Sequence, residues 1–149
     1  MDDWKRRRMQ KGLRILMLLT LCFIWGNSLL GREESAGLSS SLYRWLIEHG
    51  CPIKSEHVLR KMAHFGEFGL LGMELSGLAF LRAGFQRRPG MLAALAALLI
   101  AAADETIQLF SGRAARITDV LLDFSGALTG ILFLALLVFL IMKYRKNDA

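Results

Sequence analysis

The stretch RKMAHFGEFGLLGMELSGLAFL, residues 60–81, is apolar enough over most of its length to lie in a lipid bilayer. Yet Lys61, His64 and Glu67 lie near its start, and Glu74 lies further in. Charged groups at membrane depth are costly and are usually paired or functional. The stretch therefore predicts a membrane helix that turns its charged residues into a helix bundle.

The apolar residues, 54% of a 149-residue chain, are concentrated in four blocks. A helix needs about 20 residues to cross a bilayer, so the blocks predict spanning helices at about 13–30, 58–81, 91–110 and 117–142. The first block follows a basic stretch, but it is long for a signal peptide and no small-residue cleavage site stands out after it. The predicted fold is all-α, a four-helix transmembrane bundle forming a single domain over residues 1–149.

The formal charge of +6 indicates the orientation of this bundle. Basic segments lie before the first helix, between the second and third, and after the fourth. They contain Lys5, Arg6, Arg7, Arg8, Lys11 and Arg14; Arg82, Arg87 and Arg88; and Lys143, Arg145 and Lys146. Cytoplasmic segments are rich in Lys and Arg, so both termini are predicted to be cytoplasmic. No nucleic-acid partner is expected, because these charges flank apolar spans without an aromatic-basic platform.

The segment between the first two blocks contains a predicted amphipathic helix, LSSSLYRWLIEHG at 38–50. Its apolar residues share one face. Ser39 or Ser40 is expected to cap its start, and Gly50 with Pro52 is expected to end it. Such a helix with a Trp at its edge tends to lie at the membrane surface. It either covers the bundle or acts as a lid that gates a substrate.

The two cysteines indicate neither a covalent link nor a zinc site. Cys22 falls within the first spanning helix and Cys51 falls in the outer loop, at different depths, so no disulfide is expected between them. The chain contains no CxxC or other zinc-ligand spacing.

Three predicted helices place an ionisable group at the same depth. His64, Asp104 and Asp123 each lie six residues from the outer end of a helix, or roughly 9 Å at 1.5 Å per residue. Further acids and bases lie close by in the sequence: Lys61, Glu67, Glu105, Arg113, Arg116 and Asp119. A network of salt bridges that only holds the helices in register needs fewer groups than these. The layer of charged residues therefore predicts a functional site. Glu74 lies about 24 Å from the outer end and is expected to pair with an inner-loop cation such as Arg82.

Small residues accompany these polar groups. The acids of the fourth helix continue into Gly126 and Gly130, a GxxxG pattern that lets another helix approach closely. The second spanning helix carries Gly66, Gly69 and Gly72, which likewise give it a thin surface, that is, a face without bulky side chains. The polar residues are therefore expected to point into the bundle.

Three segments, KMAHFGEF (61–68), DETIQLFSGR (104–113) and DVLLDFSG (119–126), resemble the signature of VanZ-like membrane proteins. The family pattern is K-x-x-H-F-x-x-[YF], then D-E-x-x-Q before an Arg, then D-x-x-x-N-x-x-G. The resemblance covers most of the chain in the right order. Asp123 stands where the family usually has Asn, and a carboxylate there donates no hydrogen bond unless it is protonated.

The resemblance implies a small multi-pass protein of a bacterial plasma membrane. The founding member of the family is associated with resistance to teicoplanin, a glycopeptide antibiotic that acts at the cell surface. One interpretation is a cell-envelope factor whose outward-facing pocket binds a membrane lipid or a lipid-linked cell-wall precursor. Cations of the pocket would then contact a phosphate head group. The ligand-binding candidates are Lys61, Gln108, Arg113, Arg116, Asp119 and Asp123.

The alternative is an intramembrane hydrolase or transferase that acts on such a lipid. His64 would be its general acid or base, with Glu67 or Asp104 orienting it, Glu105 nearby and Arg113 stabilising developing charge. No cofactor is expected, although the His-x-x-Glu spacing with helix-borne acids leaves a divalent metal open. A transporter would show broken helices or an internal repeat, which this chain lacks unless a homo-oligomer supplies the symmetry.

Overall fold

The computed structural model describes residues 2–83 and 87–147, with 32, 87, 146 and 147 described by their backbone alone. This part of the chain is all-helical. It contains α1 (Asp3–Leu29), α2 (Arg32–Glu48), α3 (Glu56–Ala83), α4 (Arg87–Phe110) and α5 (Ile117–Asn147). The all-α prediction is confirmed. The predicted inner loop falls partly on 84–86, which lie outside the described residues, as do the side chains of Arg87 and Lys146.

The helices extend beyond the predicted apolar blocks. α1 begins at Asp3 rather than near residue 13, because its basic stretch consists largely of good helix formers and contains no proline. Three of the helices are long and apolar enough to cross a membrane: α1, α4 and α5. α3 is not among these three, because its charged residues and glycines lower its mean hydropathy.

α2 differs from the predicted amphipathic helix at its start. It begins at Arg32 and is preceded by Gly31, so Ser39 lies inside it and donates a hydrogen bond to the Ser35 carbonyl at 2.8 Å. The expected serine cap is therefore wrong. The predicted end is confirmed, because Gly50 follows the helix with φ +82°, a backbone conformation that glycine adopts without strain.

α3 is the central helix and contacts each of the other four. Its closest neighbour is α5, where the two backbones touch through glycines. A Cβ on Gly126 or Gly130 would collide with the α3 backbone, and a Cβ on Gly72 would collide with the α5 backbone. Gly69 also faces α5, whereas Gly66 has nothing within 4 Å. The predicted thin surface is thus confirmed for all of these glycines except Gly66.

The interior of the protein is small and partly polar, and its outside is apolar. The buried hydrophobic cluster is formed by Ile24, Phe68, Leu71, Ala97, Ala101 and Ala127. Four acids are buried beside it, while many leucines and phenylalanines of α1, α4 and α5 are exposed. This distribution suits helices surrounded by lipid, where small residues allow close packing and charged groups turn inward.

Glu74 has a different partner from the one expected. Its side chain is buried, and Thr20 of α1 donates a hydrogen bond to Glu74 Oε1 at 2.9 Å. Arg82 is exposed and forms no ion pair with Glu74, so that pairing is wrong. The expectation that the cysteines form no disulfide is confirmed, since Cys22 and Cys51 are both free.

Candidate functional site

A polar pocket of about 410 Å³ lies at the end of the molecule where α3 begins and α4 ends. Eight of the ten predicted site residues line it: Lys61, His64, Glu105, Gln108, Arg113, Arg116, Asp119 and Asp123. They come from α3, α4, α5 and the α4–α5 connection. The close approach of α3 to α5 through glycine brings these charged residues together.

Three buried side chains, one from each of α3, α4 and α5, meet at the floor of the pocket, the part that His64 and Asp123 line; Asp104 contacts this part but does not itself line the pocket. His64, Asp104 and Asp123 each offer a nitrogen or carboxylate oxygen, and these atoms lie within 4.8 Å of one another. His64 Nδ1 is 3.6 Å from Asp123 Oδ1, and the His64 side chain is 12% exposed. We call these three residues the buried triad. They are the same groups that helix counting placed at a common depth.

The two acids of the buried triad have contrasting surroundings. Ser28 Oγ donates a hydrogen bond to Asp104 Oδ1 at 2.6 Å, and Gln108 Nε2 donates one to Asp104 Oδ2 at 2.8 Å. Ser111 in turn donates to the Ser28 carbonyl at 2.8 Å. Asp123 is 1% exposed, and neither of its oxygens has a hydrogen-bond partner among the described residues. Asp104 is therefore held in place, whereas Asp123 lacks partners.

Several charges around the pocket are already paired. Lys61 Nζ lies 3.0 Å from Asp119 Oδ1, across the α3–α5 interface. Arg60 Nη2 lies 3.0 Å from Glu56 Oε1 on α3. The carboxylate of Glu105 accepts a hydrogen bond from a backbone N–H of the α4–α5 connection at 2.5 Å. These contacts fix the pocket wall and leave little of this charge for a ligand.

Two arginines of the pocket remain without a carboxylate partner among the described residues. Arg113 Nη1 donates to the Asn27 carbonyl at 3.5 Å, and Arg116 is exposed. Burial, with a smaller effect from Arg60, lowers the pKa of the Arg113 guanidinium from its usual value, but the group stays charged at neutral pH. Arg113 is therefore a partly buried cation without an ion-pair partner among the described residues.

An apolar groove of about 400 Å³ lies beside the polar pocket, between α1, α2 and α3. Leu38 and Leu42 of α2 and Cys22 of α1 are among its lining residues. The groove and the polar pocket share two lining residues, Ser35 and Arg60. The two cavities therefore adjoin.

Two predicted site residues do not line the polar pocket: Asp104, which belongs to the buried triad, and Glu67. Glu67 lines the apolar groove and not the polar pocket. Residues near the pocket that the sequence did not single out are Ser28, Ser35 and Arg60. Arg60 directly precedes the charged motif and could have been included, but a serine at a helix end carries no distinguishing signal.

Three apolar helices around a buried charged cluster indicate a helical membrane protein. The VanZ/LLP1 family model matches residues 9–140, and the chain belongs to that family. The resemblance expected from the sequence motifs is thus confirmed. No curated protein and no solved structure matches the chain significantly.

Proposed function

We propose that this protein is a multi-pass plasma-membrane protein that binds a phosphorylated lipid, either a membrane lipid or a lipid-linked cell-wall precursor. In this proposal α1, α3, α4 and α5 cross the bilayer, both termini are cytoplasmic and the polar pocket faces the extracytoplasmic side. By binding such a lipid, the protein would change which lipids or lipid-linked precursors are accessible to a teicoplanin-type glycopeptide at the cell surface. Susceptibility of the cell to that antibiotic would then fall.

The observation that carries the proposal is the junction of the polar pocket with the apolar groove at Ser35 and Arg60. A lipid with a charged head group needs two adjoining spaces of this kind. The head group would occupy the polar pocket, and the first part of the chain would follow the groove between α1, α2 and α3. Ligand sites of this type combine apolar walls with a few polar groups that fix orientation.

The charges support a phosphate as the head group. Arg113 and Arg116 have no carboxylate partner among the described residues, and both line the polar pocket. The guanidinium group binds phosphate through two parallel hydrogen bonds. Carboxylates of the pocket wall would exclude a second anion and favour a head group of limited charge.

The first test identifies the bound lipid. Mass spectrometry of protein purified in mild detergent should reveal a co-purifying phosphorylated lipid, and a polyprenyl phosphate should bind saturably where the matching polyprenol does not. Arg113→Gln and Arg116→Gln should each weaken this binding. Arg82→Gln is the matched control, because Arg82 is an exposed arginine at the opposite end of α3. Equal binding of phosphate and alcohol would contradict the proposal.

The native cysteines allow a second test. Cys22 lines the apolar groove, whereas Cys51 lies between α2 and α3, outside the groove. A bound polyprenyl phosphate should slow alkylation of Cys22 by N-ethylmaleimide and leave Cys51 alkylation unchanged. Protection of neither cysteine at saturating lipid would place the lipid chain elsewhere.

An intramembrane hydrolase or transferase remains the second candidate, because a buried histidine beside a carboxylate lies at the floor of the same pocket. In this candidate function, His64 would transfer a proton to or from a ligand in the pocket. Asp123, rather than Glu67, is the acid nearest to it in an ion-pair contact. Release of phosphate or of a transferred group, abolished in His64→Ala with lipid binding retained, would favour this candidate over a binding protein.

A further inference from the structure

The buried triad has the donor set of a metal site. It combines one imidazole nitrogen with two carboxylates, and the ligand atoms of His64, Asp104 and Asp123 lie within 4.8 Å of one another. Ligands at about 2.0–2.2 Å from one ion lie at most about 4.4 Å apart. Small side-chain rotations therefore bring the three atoms onto a single ion. The three ligands come from three helices, so an ion here would join α3, α4 and α5.

The charge balance of the triad calls for a cation. Asp104 is 0% exposed and Asp123 is 1% exposed, and buried charges are usually paired or bound to a metal. Neither cation of the pocket wall that lies nearby forms an ion pair with these acids: Lys61 is paired with Asp119, and Arg113 donates to the Asn27 backbone carbonyl. One divalent ion beside a neutral imidazole would neutralise both carboxylates.

The hydrogen bonds around the triad also fit metal binding. Ser28 and Gln108 each donate to one oxygen of Asp104, and carboxylates that bind metals are commonly oriented by such hydrogen bonds. Asp123 provides separate support for a bound ion. Its carboxylate is almost completely removed from solvent and has no hydrogen bond to a described residue. Both it and His64 line the polar pocket, which provides a path for the ion to enter.

We propose that His64, Asp104 and Asp123 bind one divalent transition-metal ion, such as Zn²⁺ or Mn²⁺, at the floor of the polar pocket. Imidazole and carboxylate ligands together suit these two ions. The site depends on Asp123, where the family pattern usually has Asn, and is therefore a property of this chain rather than of the signature. The proposal goes beyond lipid binding and does not depend on it.

The test uses the full-length protein in detergent, without added lipid or phosphate. After removal of metal with a chelator, the wild type should take up one equivalent of Zn²⁺ and become more stable by at least about 3 °C at saturation, since the ion binds the folded state. Asp123→Asn should weaken Zn²⁺ binding by at least about tenfold, because even the loss of a residue that only hydrogen-bonds to a metal ligand costs that much. Wild-type protein without saturable binding, or equal affinity in Asp123→Asn, overturns the proposal.

Glu74→Gln is the matched control, since it removes another buried carboxylate on α3 that lies outside the polar pocket. It should bind Zn²⁺ like the wild type, and a loss as large as that of Asp123→Asn would contradict the site. Mn²⁺ provides a second measurement: its pulsed electron paramagnetic resonance spectrum should show coupling to an imidazole nitrogen that His64→Gln abolishes. Absence of that coupling in the wild type would contradict His64 as a ligand.

The metal and lipid proposals can fail separately. Arg113→Gln is expected to lose phosphate binding and to keep one equivalent of Zn²⁺, because Arg113 belongs to the pocket wall and not to the triad. If the wild type binds Zn²⁺ but no phosphorylated lipid, the metal site is supported and the lipid-binding proposal is contradicted. Loss of Zn²⁺ in Arg113→Gln with its fold intact would contradict the assignment of the ion to the triad.

Discussion

The buried acids of this protein differ in how many hydrogen bonds they accept from the described residues. Glu74 accepts one hydrogen bond, from Thr20, and its other oxygen has no partner among the described residues. Asp104 accepts hydrogen bonds on both oxygens from Ser28 and Gln108. A buried polar group costs free energy when its partner is removed, whereas replacing both partners by apolar groups can be nearly neutral.

Thr20→Val should therefore lower the free energy of unfolding by about 1–3 kcal/mol, the cost of leaving a buried acceptor unpaired. Adding Glu74→Leu should recover most of that loss, since the unpaired carboxylate is then gone. Thermal unfolding of the two single variants and the double variant in detergent measures the coupling. Strictly additive effects would mean that the Thr20–Glu74 hydrogen bond, 2.9 Å long in the structure, contributes nothing to stability.

At the scale of the helix, α3 lies at the centre of the structure, although α1, α4 and α5 are the helices long and apolar enough to cross a membrane. It packs against all the other helices, and its glycines let α5 approach until the two backbones touch. That approach places Lys61 beside Asp119 and His64 beside Asp123. The glycine surface and the charged site are therefore two parts of one helix interface.

The glycines of α3 provide a matched pair for testing this interface. A Cβ at Gly72 would collide with the Ala127 backbone, whereas a Cβ at Gly66 meets open space. Gly72→Ala should lower the free energy of unfolding by about 1–3 kcal/mol through overpacking. Gly66→Ala should leave it unchanged or raise it slightly, because alanine is the better helix former. Thermal unfolding in detergent distinguishes these outcomes, and equal effects would contradict the observed α3–α5 contact.

At the scale of the whole molecule, charge is divided between the two ends. The polar pocket lies where α3 begins and α4 ends. The basic segments lie at the opposite end, at the start of α1, the end of α3 and the end of α5. Since Lys and Arg favour the cytoplasmic side, this division supports a pocket that opens to the outside.

The native Cys51 tests that orientation in intact cells, because it lies between α2 and α3 at the pocket end. A membrane-impermeant maleimide should label it from outside without cell lysis. Cys51→Ser should abolish the labelling, since Cys22 lies within α1. A reporter fused after Met142 should read as cytoplasmic. Labelling of Cys51 that requires lysis would place the pocket in the cytoplasm and contradict a role at the outer surface.

Much of the fold followed from the sequence because it depends on local properties. Apolar runs of about 20 residues predict spanning helices, and the rise per residue fixes the depth of each polar group along its own helix. For this reason His64, Asp104 and Asp123 could be placed at a common level, and the glycines of α5 could be placed on its contact face. The start of α2 could not be predicted from the sequence, since a serine such as Ser39 occurs both at the cap of a helix and inside one.

The partners of the charged groups were decided by the tertiary structure alone. Each helix rotates its side chains by about 100° per residue, so the facing residue depends on how two helices are turned and shifted against each other. Because of this packing, Glu74 accepts a hydrogen bond from Thr20 and does not pair with Arg82. For the same reason, Glu67 lines the apolar groove. The sequence by itself thus determined which groups the helices carry and at what depth. Helix packing determined which of them meet.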